Sequence, residues 1–338
     1  MHHHRIPLLA AVCLIGAGCE IPTEAPIIDQ RWILPFDEVT LDQDELLPPS
    51  VTIAGDFYDV NVTDASASET LANLCPSCAA LDGLTVPAPA FQGTFASTDA
   101  LPADVFEATV ASGSVDVTLT NGLSFDPIAG GGSLTVTVSG ASGGPVLGTL
   151  SFDGTVDTFA PGSVTMRTMT LSSGTIDGAI ETTVEVDSPG GQVATIDVSD
   201  QVQVTAVTTS LLVSSVTVDV VGRSASLSET DLNINDLNDG IIDAIQSGSV
   251  VLDVTNPFGV SLTGSLTIGT VTKDLLVPVD ATSNVEIAYT GDELRQILGE
   301  PDVTFAGNGV LAGGPAVVAP SAMLSIDPTI DLIIRIGG

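Results

Sequence analysis

The 338-residue chain carries 42 acidic against seven basic side chains, a formal net charge of −35. That field repels nucleic acid and anionic surfaces, so no nucleic-acid partner is expected. An apolar content of 44%, with 34 Gly, 20 Pro and few aromatics, points away from disorder and long helices and toward a Val/Thr-rich all-β chain of about two domains.

Residues 1–18 read as an export signal. Met1–Arg5 is weakly basic, and Ile6–Ile15 is apolar but too short to span a bilayer. The signal closes on Leu14-Ile15-Gly16-Ala17-Gly18-Cys19, which resembles the lipobox of bacterial lipoproteins, with Gly16 where Leu is commoner. The resemblance implies that Cys19 is acylated and becomes the first mature residue. It also implies that Glu20 favours the outer membrane or cell surface over retention at the inner membrane. Acyl chains anchor a protein without any transmembrane segment. The expected partners are therefore the membrane, through the N-terminal lipid, and an envelope protein or lipid.

Residues 19–50 are Pro-rich and acidic, and read as a tether followed by one edge strand around Trp32, the only tryptophan. This opening resembles lipoproteins that begin with a Pro-Thr…Trp…Pro segment. Val51–Thr63 then alternates like one or two strands, and Ala67-Ser68-Glu69-Thr70 is echoed by Leu227-Ser228-Glu229-Thr230. That echo implies a 23-residue insertion in the first copy, around Leu74–Ala96, which holds Cys75-Pro76-Ser77-Cys78.

The strongest echo pairs Ser112-Gly113-Ser114-Val115 through Asn121 with Ser247-Gly248-Ser249-Val250 through Asn256. Val115, Val117 and Leu119 alternate with Asp116, Thr118 and Thr120, as Val250, Leu252 and Val254 alternate with Val251, Asp253 and Thr255. That period of two predicts one half-buried strand in each copy, stopped by Asn121-Gly122 or Asn256-Pro257. Gly132-Ser133-Leu134-Thr135 and Gly264-Ser265-Leu266-Thr267 form a second echo. A short helix or turn is expected over Leu101–Val110. A short amphipathic helix is expected over Asp236–Gln246, where Leu237, Ile241, Ile242 and Ile245 recur at helical spacing. Further strands are expected at Leu147–Phe152, Ser163–Leu171, Thr175–Val186, Val193–Val198, Val202–Val207, Leu211–Val221, Leu275–Val279, Val285–Tyr289, Val303–Leu311 and Ala322–Ile336, with a helical turn or two at Gly291–Leu298.

The stretch Val250–Ile268, with its strand, Asn-Pro-Phe turn and returning Gly-Ser-Leu-Thr strand, resembles the water-stress and hypersensitive-response domain, also known from type 2 late-embryogenesis-abundant proteins. The resemblance implies a β-sandwich with an Asn-Pro hairpin and a loose link to stress or membrane-surface roles. It implies no catalytic residues.

All three histidines lie in the signal, at His2–His4. The mature chain therefore has no imidazole to activate a nucleophile or bind a metal, and Lys273 is the only lysine. A non-enzyme is expected. Cys75 and Cys78 have thioredoxin-like spacing but lack its βαβ context. In an exported chain they read as a local disulfide, with redox exchange and metal binding as the other readings. Asp231, Asn233, Asn235, Asp236 and Asp239 place oxygen ligands at nearly alternate positions, as in a calcium loop. However, Asp236 and Ile242 stand where that loop needs Gly and Glu, and an Asn/Asp turn capping the next helix is the plain alternative. No organic cofactor is expected, and calcium is the one candidate ion.

The expected fold class is all-β: two related antiparallel β-sandwich-like units, each with a short helix. Residues 51–206 form the first, with the Cys-x-x-Cys insertion, and 207–338 the second. The expected function is a non-catalytic, membrane-anchored envelope lipoprotein that binds a partner or serves structure. A binder of lipid or hydrophobic ligands, and a calcium-dependent surface adhesion module, are the alternatives.

Overall fold

A computed structural model describes residues 27–41, 43–232, 237–300 and 302–337. The chain is all-β and antiparallel. Its strands are β1 (Ile28–Pro35), β2 (Val39–Leu41), β3 (Val51–Ala54), β4 (Phe57–Val60), β5 (Ala65–Thr70), β6 (Thr85–Pro87), β7 (Phe91–Ala100), β8 (Val105–Asn121), β9 (Ser133–Gly140), β10 (Val146–Asp153), β11 (Val164–Leu171) and β12 (Gly174–Asp177). They continue with β13 (Ala179–Ser188), β14 (Val193–Thr195), β15 (Gln201–Val218), β16 (Ser224–Asp231), β17 (Ile245–Thr255), β18 (Ser261–Ile268), β19 (Val271–Val277), β20 (Thr282–Thr290), β21 (Thr304–Ala312), β22 (Ala316–Val318) and β23 (Leu324–Ile336). The helices are α1 (Leu71–Leu74), α2 (Asp239–Asp243) and α3 (Gly291–Leu298), with two 3₁₀ turns.

Two sandwiches repeat one topology. In the first, a sheet ordered β10-β9-β13-β7 faces a sheet ordered β11-β8-β15, whose far edge carries β5, β4 and the short β22. In the second, β19-β18-β21-β16 faces β20-β17-β23, whose far edge carries β1 and β2. Strands β7, β8, β9, β10, β11, β13 and β15 correspond in chain order to β16, β17, β18, β19, β20, β21 and β23. With the edge strand counted first, each unit's sheets read 1-8-3-6 and 2-7-4-5, the order of a jelly roll.

The origin of strand 1 differs. In the first sandwich it is local, from β4 and β5. In the second it comes from the other end of the chain: β1 pairs with β23 over eight residues, from Ile28 opposite Ile336 to Pro35 opposite Thr329. The second sandwich is therefore built from 28–41 and 224–336, apart from β22, which pairs with β15 of the first, and the first is inserted between its first two strands. The edge strand expected around Trp32 is thus β1, and the fold includes the chain from Ile28. The expected boundary at 206/207 falls inside β15, one strand with a bulge between Thr208 and Ser210. This corrects the two strands expected at Val202–Val207 and Leu211–Val221.

The echo of Ala67–Thr70 in Leu227–Thr230 is not a structural equivalence. The former lies in strand 1 of the first unit (β5), the latter in strand 2 of the second (β16). Short runs of small and hydroxylated residues suit either position, so the resemblance carries no register. The 23-residue insertion inferred from it disappears, and Cys75–Cys78 sits in the connection between strands 1 and 2. Of the segment Leu101–Val110, expected as a helix or turn, the first four residues form a turn and residues 105–110 already belong to β8. Helices α2 and α3 form where expected, but the first unit's helix, α1, lies elsewhere in its topology.

The strong echo holds in physical detail. Its two copies are β8 and β17, strand 3 of each unit. Val115, Val117 and Leu119, and Val250, Leu252 and Val254, are all buried between the sheets. The shared glycine lets the neighbouring strand come close. A Cβ on Gly113 would stand 2.7 Å from the Ser210 carbonyl oxygen, and one on Gly248 would collide with that of Asp331. The shared Asn is a bracket. The Asn121 side chain accepts from the Leu123 amide (2.9 Å) and donates to the carbonyls of Phe125 (3.0 Å) and Phe159 (2.5 Å). Asn256 accepts from Phe258 (3.3 Å) and donates to Val260 (2.6 Å) and Pro278 (2.9 Å). Both side chains are fully buried. Each ties the turn after strand 3 to the loop between strands 5 and 6, and so satisfies carbonyls that a neutral apolar residue would strand.

Candidate functional site

Cys75 and Cys78 form a disulfide across α1 and the following 3₁₀ turn, with Cα atoms 5.3 Å apart. The local backbone closes it: the Cys75 amide donates to Leu71 and the Cys78 amide to Cys75, each at 2.8 Å. Both cysteines are fully buried beside Leu71 and Leu74. Thiol exchange needs a reachable sulfur, so this geometry is that of a staple.

Of the calcium-loop residues, Asn233, Asn235 and Asp236 lie outside the described residues, as does Cys19. Asp231 ends β16, paired with Thr304. Asp239 opens α2, whose cap is Asn238: its side chain accepts from the Gly240 amide at 2.8 Å. The described part of this loop therefore shows helix-capping geometry. Among the described residues no three His, Cys, Asp or Glu side chains gather as metal ligands do.

Two concave surfaces were not foreseen. The first is a notch in the first sandwich. Pairing of β15 with β5 ends at Ala206, and pairing with β4 begins at Leu212. Between them β15 has no strand on that edge. The opening has a volume of about 350 Å³ and is lined by Ser50, Thr52, Asp59, Asn61, Thr209 and Ser210 among others. The Asp59 carboxylate receives the Leu211 amide at 3.4 Å. The second sandwich closes the matching break, because the Phe36 amide donates to Pro328 at 3.0 Å. Neutral hydroxyls and an amide, with one carboxylate, suit a small polar ligand. The only sequence signal for the notch is the hydroxyl run Thr208-Thr209-Ser210, which breaks the alternation of β15.

The second surface, about 500 Å³, lies on the outer face of β1, β23, β17 and β20. A two-pronged ion pair crosses it, with Arg31 Nε 2.8 Å from both Asp331 carboxylate oxygens and a guanidinium nitrogen 2.5 Å from one of them. Around α3, Lys273 Nζ is 2.6 Å from Glu293 Oε1 and 5.1 Å from the Tyr289 ring centre. Burial, helped by the Glu293 charge, pushes the Tyr289 hydroxyl up to about 12. The side-chain hydrogen bond from Lys273 holds Glu293 below the usual carboxylate range. Glu293 also completes a capping box with Thr290, so this cluster is accounted for as a helix start.

No described helix is long and apolar enough to cross a membrane. No protein-family model and no curated protein matches the chain. Among solved structures, a protein from Parabacteroides distasonis described as secreted is 10% identical, covering 90% of this chain and 99% of its own, with a TM-score of 0.32. The empty top component of cowpea mosaic virus is 10% identical over 86% of this chain and 94% of its own (TM-score 0.24). Broad bean stain virus is 12% identical over 97% and 96% (TM-score 0.20). Likeness at these scores carries no argument about function.

Proposed function

We propose that the chain is an exported, non-catalytic lipoprotein of the cell envelope. It is held to the outer membrane through acylated Cys19 and offers its first sandwich to a small polar ligand or an envelope partner. The observation that carries the reading is the entry of the chain into the fold. β1 follows the lipobox closely and is locked to β23 by eight residue pairs and by the ion pairs Arg31–Asp331 and Asp29–Arg335. A pull on the lipid is thus borne by a full ladder of a sandwich. The notch supplies the binding surface.

A hydrophobic ligand fits less well. The apolar cavity between the sheets of the first sandwich, lined by Val115, Val138, Leu171 and Ile180 among others, holds about 20 Å³. That is room for about one water molecule. The test of anchoring is Cys19→Ser in cells fed radiolabelled palmitate. The parent chain should be labelled and sediment with membranes, while the variant should be unlabelled and soluble. A variant that still sediments would defeat the reading.

A further inference from the structure

We infer that the end of the second sandwich where β1 begins and β23 ends lies against the lipid bilayer, an inference that rests on anchoring through Cys19. Ile28 and Ile336 face each other across the ladder. They continue an inward-facing row whose preceding members on β23, Leu332 and Ile334, are buried. At this last rung the row runs out of cover: Ile28 is 52% exposed, Ile336 47% and the adjoining Ile27 62%.

Two observations select a bilayer as the occupant. The first is reach. Cys19 lies eight residue steps before Ile27, which span at most about 29 Å when fully extended. A lipid on Cys19 therefore holds this end at the membrane. The second is charge. The chain as a whole is strongly acidic, yet three of its seven basic side chains gather at this end, each paired with an aspartate. Arg335 meets Asp29, Arg31 meets Asp331, and Arg295, which also donates to the Ile245 carbonyl one rung away, meets Asp292. An end that gathers arginines beside uncovered isoleucines meets the phosphates of a zwitterionic headgroup layer while the isoleucines reach the acyl boundary.

The test is fluorescence quenching of the acylated full chain in phosphatidylcholine vesicles with brominated acyl chains. One variant, Trp32→Phe/Ile28→Trp, places the only indole at the proposed contact. A second, Trp32→Phe/Ile336→Trp, guards against a local folding failure at β1. A third, Trp32→Phe/Val156→Trp, places it on a turn of the first sandwich that is 81% exposed. Vesicle-bound protein should show roughly twofold lower emission for the first two than in unbrominated vesicles, and no change for the third, given insertion to the headgroup boundary. Protein that floats with vesicles but is unquenched at positions 28 and 336 overturns the contact and leaves anchoring intact. Protein that does not float overturns both. A soluble Cys19→Ser form that is dimeric, and becomes monomeric on adding Ile28→Asp and Ile336→Asp, overturns the bilayer in favour of a second copy.

Discussion

The two sandwiches have the same strand order but are assembled differently. The first takes its jelly-roll strands from one contiguous segment, with only the short β22 added to β15 from the C-terminal segment. The second takes strand 1 from residues 28–41 and the others from 224–336, with the first held between them. A jelly roll tolerates a domain-sized insertion between strands 1 and 2 because closing a longer loop costs only slowly growing entropy. The cost is in order of assembly. The second sandwich lacks its edge until β23 exists, whereas the first can close as soon as β15 has formed. The arrangement also brings the first and last described strands, β1 and β23, into one ladder.

The buried asparagines test whether the two units are energetically separate. Asn121→Ala leaves the carbonyls of Phe125 and Phe159 and the amide of Leu123 without partners, and Asn256→Ala does the same in the second unit. Each should cost on the order of 3 kcal/mol. Trp32, half-buried on β1, reports the second sandwich alone. In urea its transition should move to lower concentration in Asn256→Ala and stay nearly fixed in Asn121→Ala, while circular dichroism registers both. Equal movement of the Trp32 signal would mean that the sandwiches unfold as one.

The repeated glycines come next. Gly248→Ala drives a Cβ into the Asp331 carbonyl, a closer approach than the one at Gly113, so a cost of about 3 kcal/mol is expected. Gly113→Ala meets the Ser210 carbonyl oxygen at 2.7 Å, and about 1 kcal/mol is expected. A reversed order by calorimetry would show that the backbone facing Gly113 yields less than the backbone facing Gly248.

These same residues show what the sequence could reveal. Val alternation, the Gly of close approach and the Asn bracket all sit on strand 3. Each answers a local physical demand, so two strands in the same place carry the same letters. β1 pairing with β23 has no such signal, because its partners lie some 300 positions apart and any alternating strand would serve. The Ala67–Thr70 echo misled for the same reason. The notch was invisible because it is made by a missing stretch of pairing along β15. The Cys-x-x-Cys pair was legible because its constraint is local.

That pair distinguishes the first sandwich. Cys75→Ala/Cys78→Ala opens a very short covalent loop, and loop entropy assigns it at most about 2 kcal/mol. The loss should appear in circular dichroism and leave the Trp32 transition in place. In the native parent the buried sulfurs should resist a mild thiol reductant and become reducible only on unfolding, as read by thiol titration.

Electrostatics separates the units most finely. Asp29 and Glu293, in the second sandwich, are held below their ordinary range first by side-chain hydrogen bonds from Arg335 and Lys273, both charged. Asp197 and Glu69, in the first, are lowered first by neutral donors, Ser199 and Asn73. In all four the folded-state pKa is depressed. Their stabilisation is therefore present above the ordinary carboxylate range and is lost as pH falls through the lowered folded values. Salt acts on only one pair of causes. At about 1 M salt the screening length falls to about 3 Å, which weakens exposed ion pairs but not hydrogen bonds from hydroxyls and amides. Carboxyl carbon NMR titrations should then show Asp29 and Glu293 rising toward ordinary values while Asp197 and Glu69 hold. The Trp32 transition should become less sensitive to acid in high salt. A uniform fall of all four would mean that the acidic field of the whole chain, which raises carboxylate pKa values until salt screens it, sets their titration in place of these local partners.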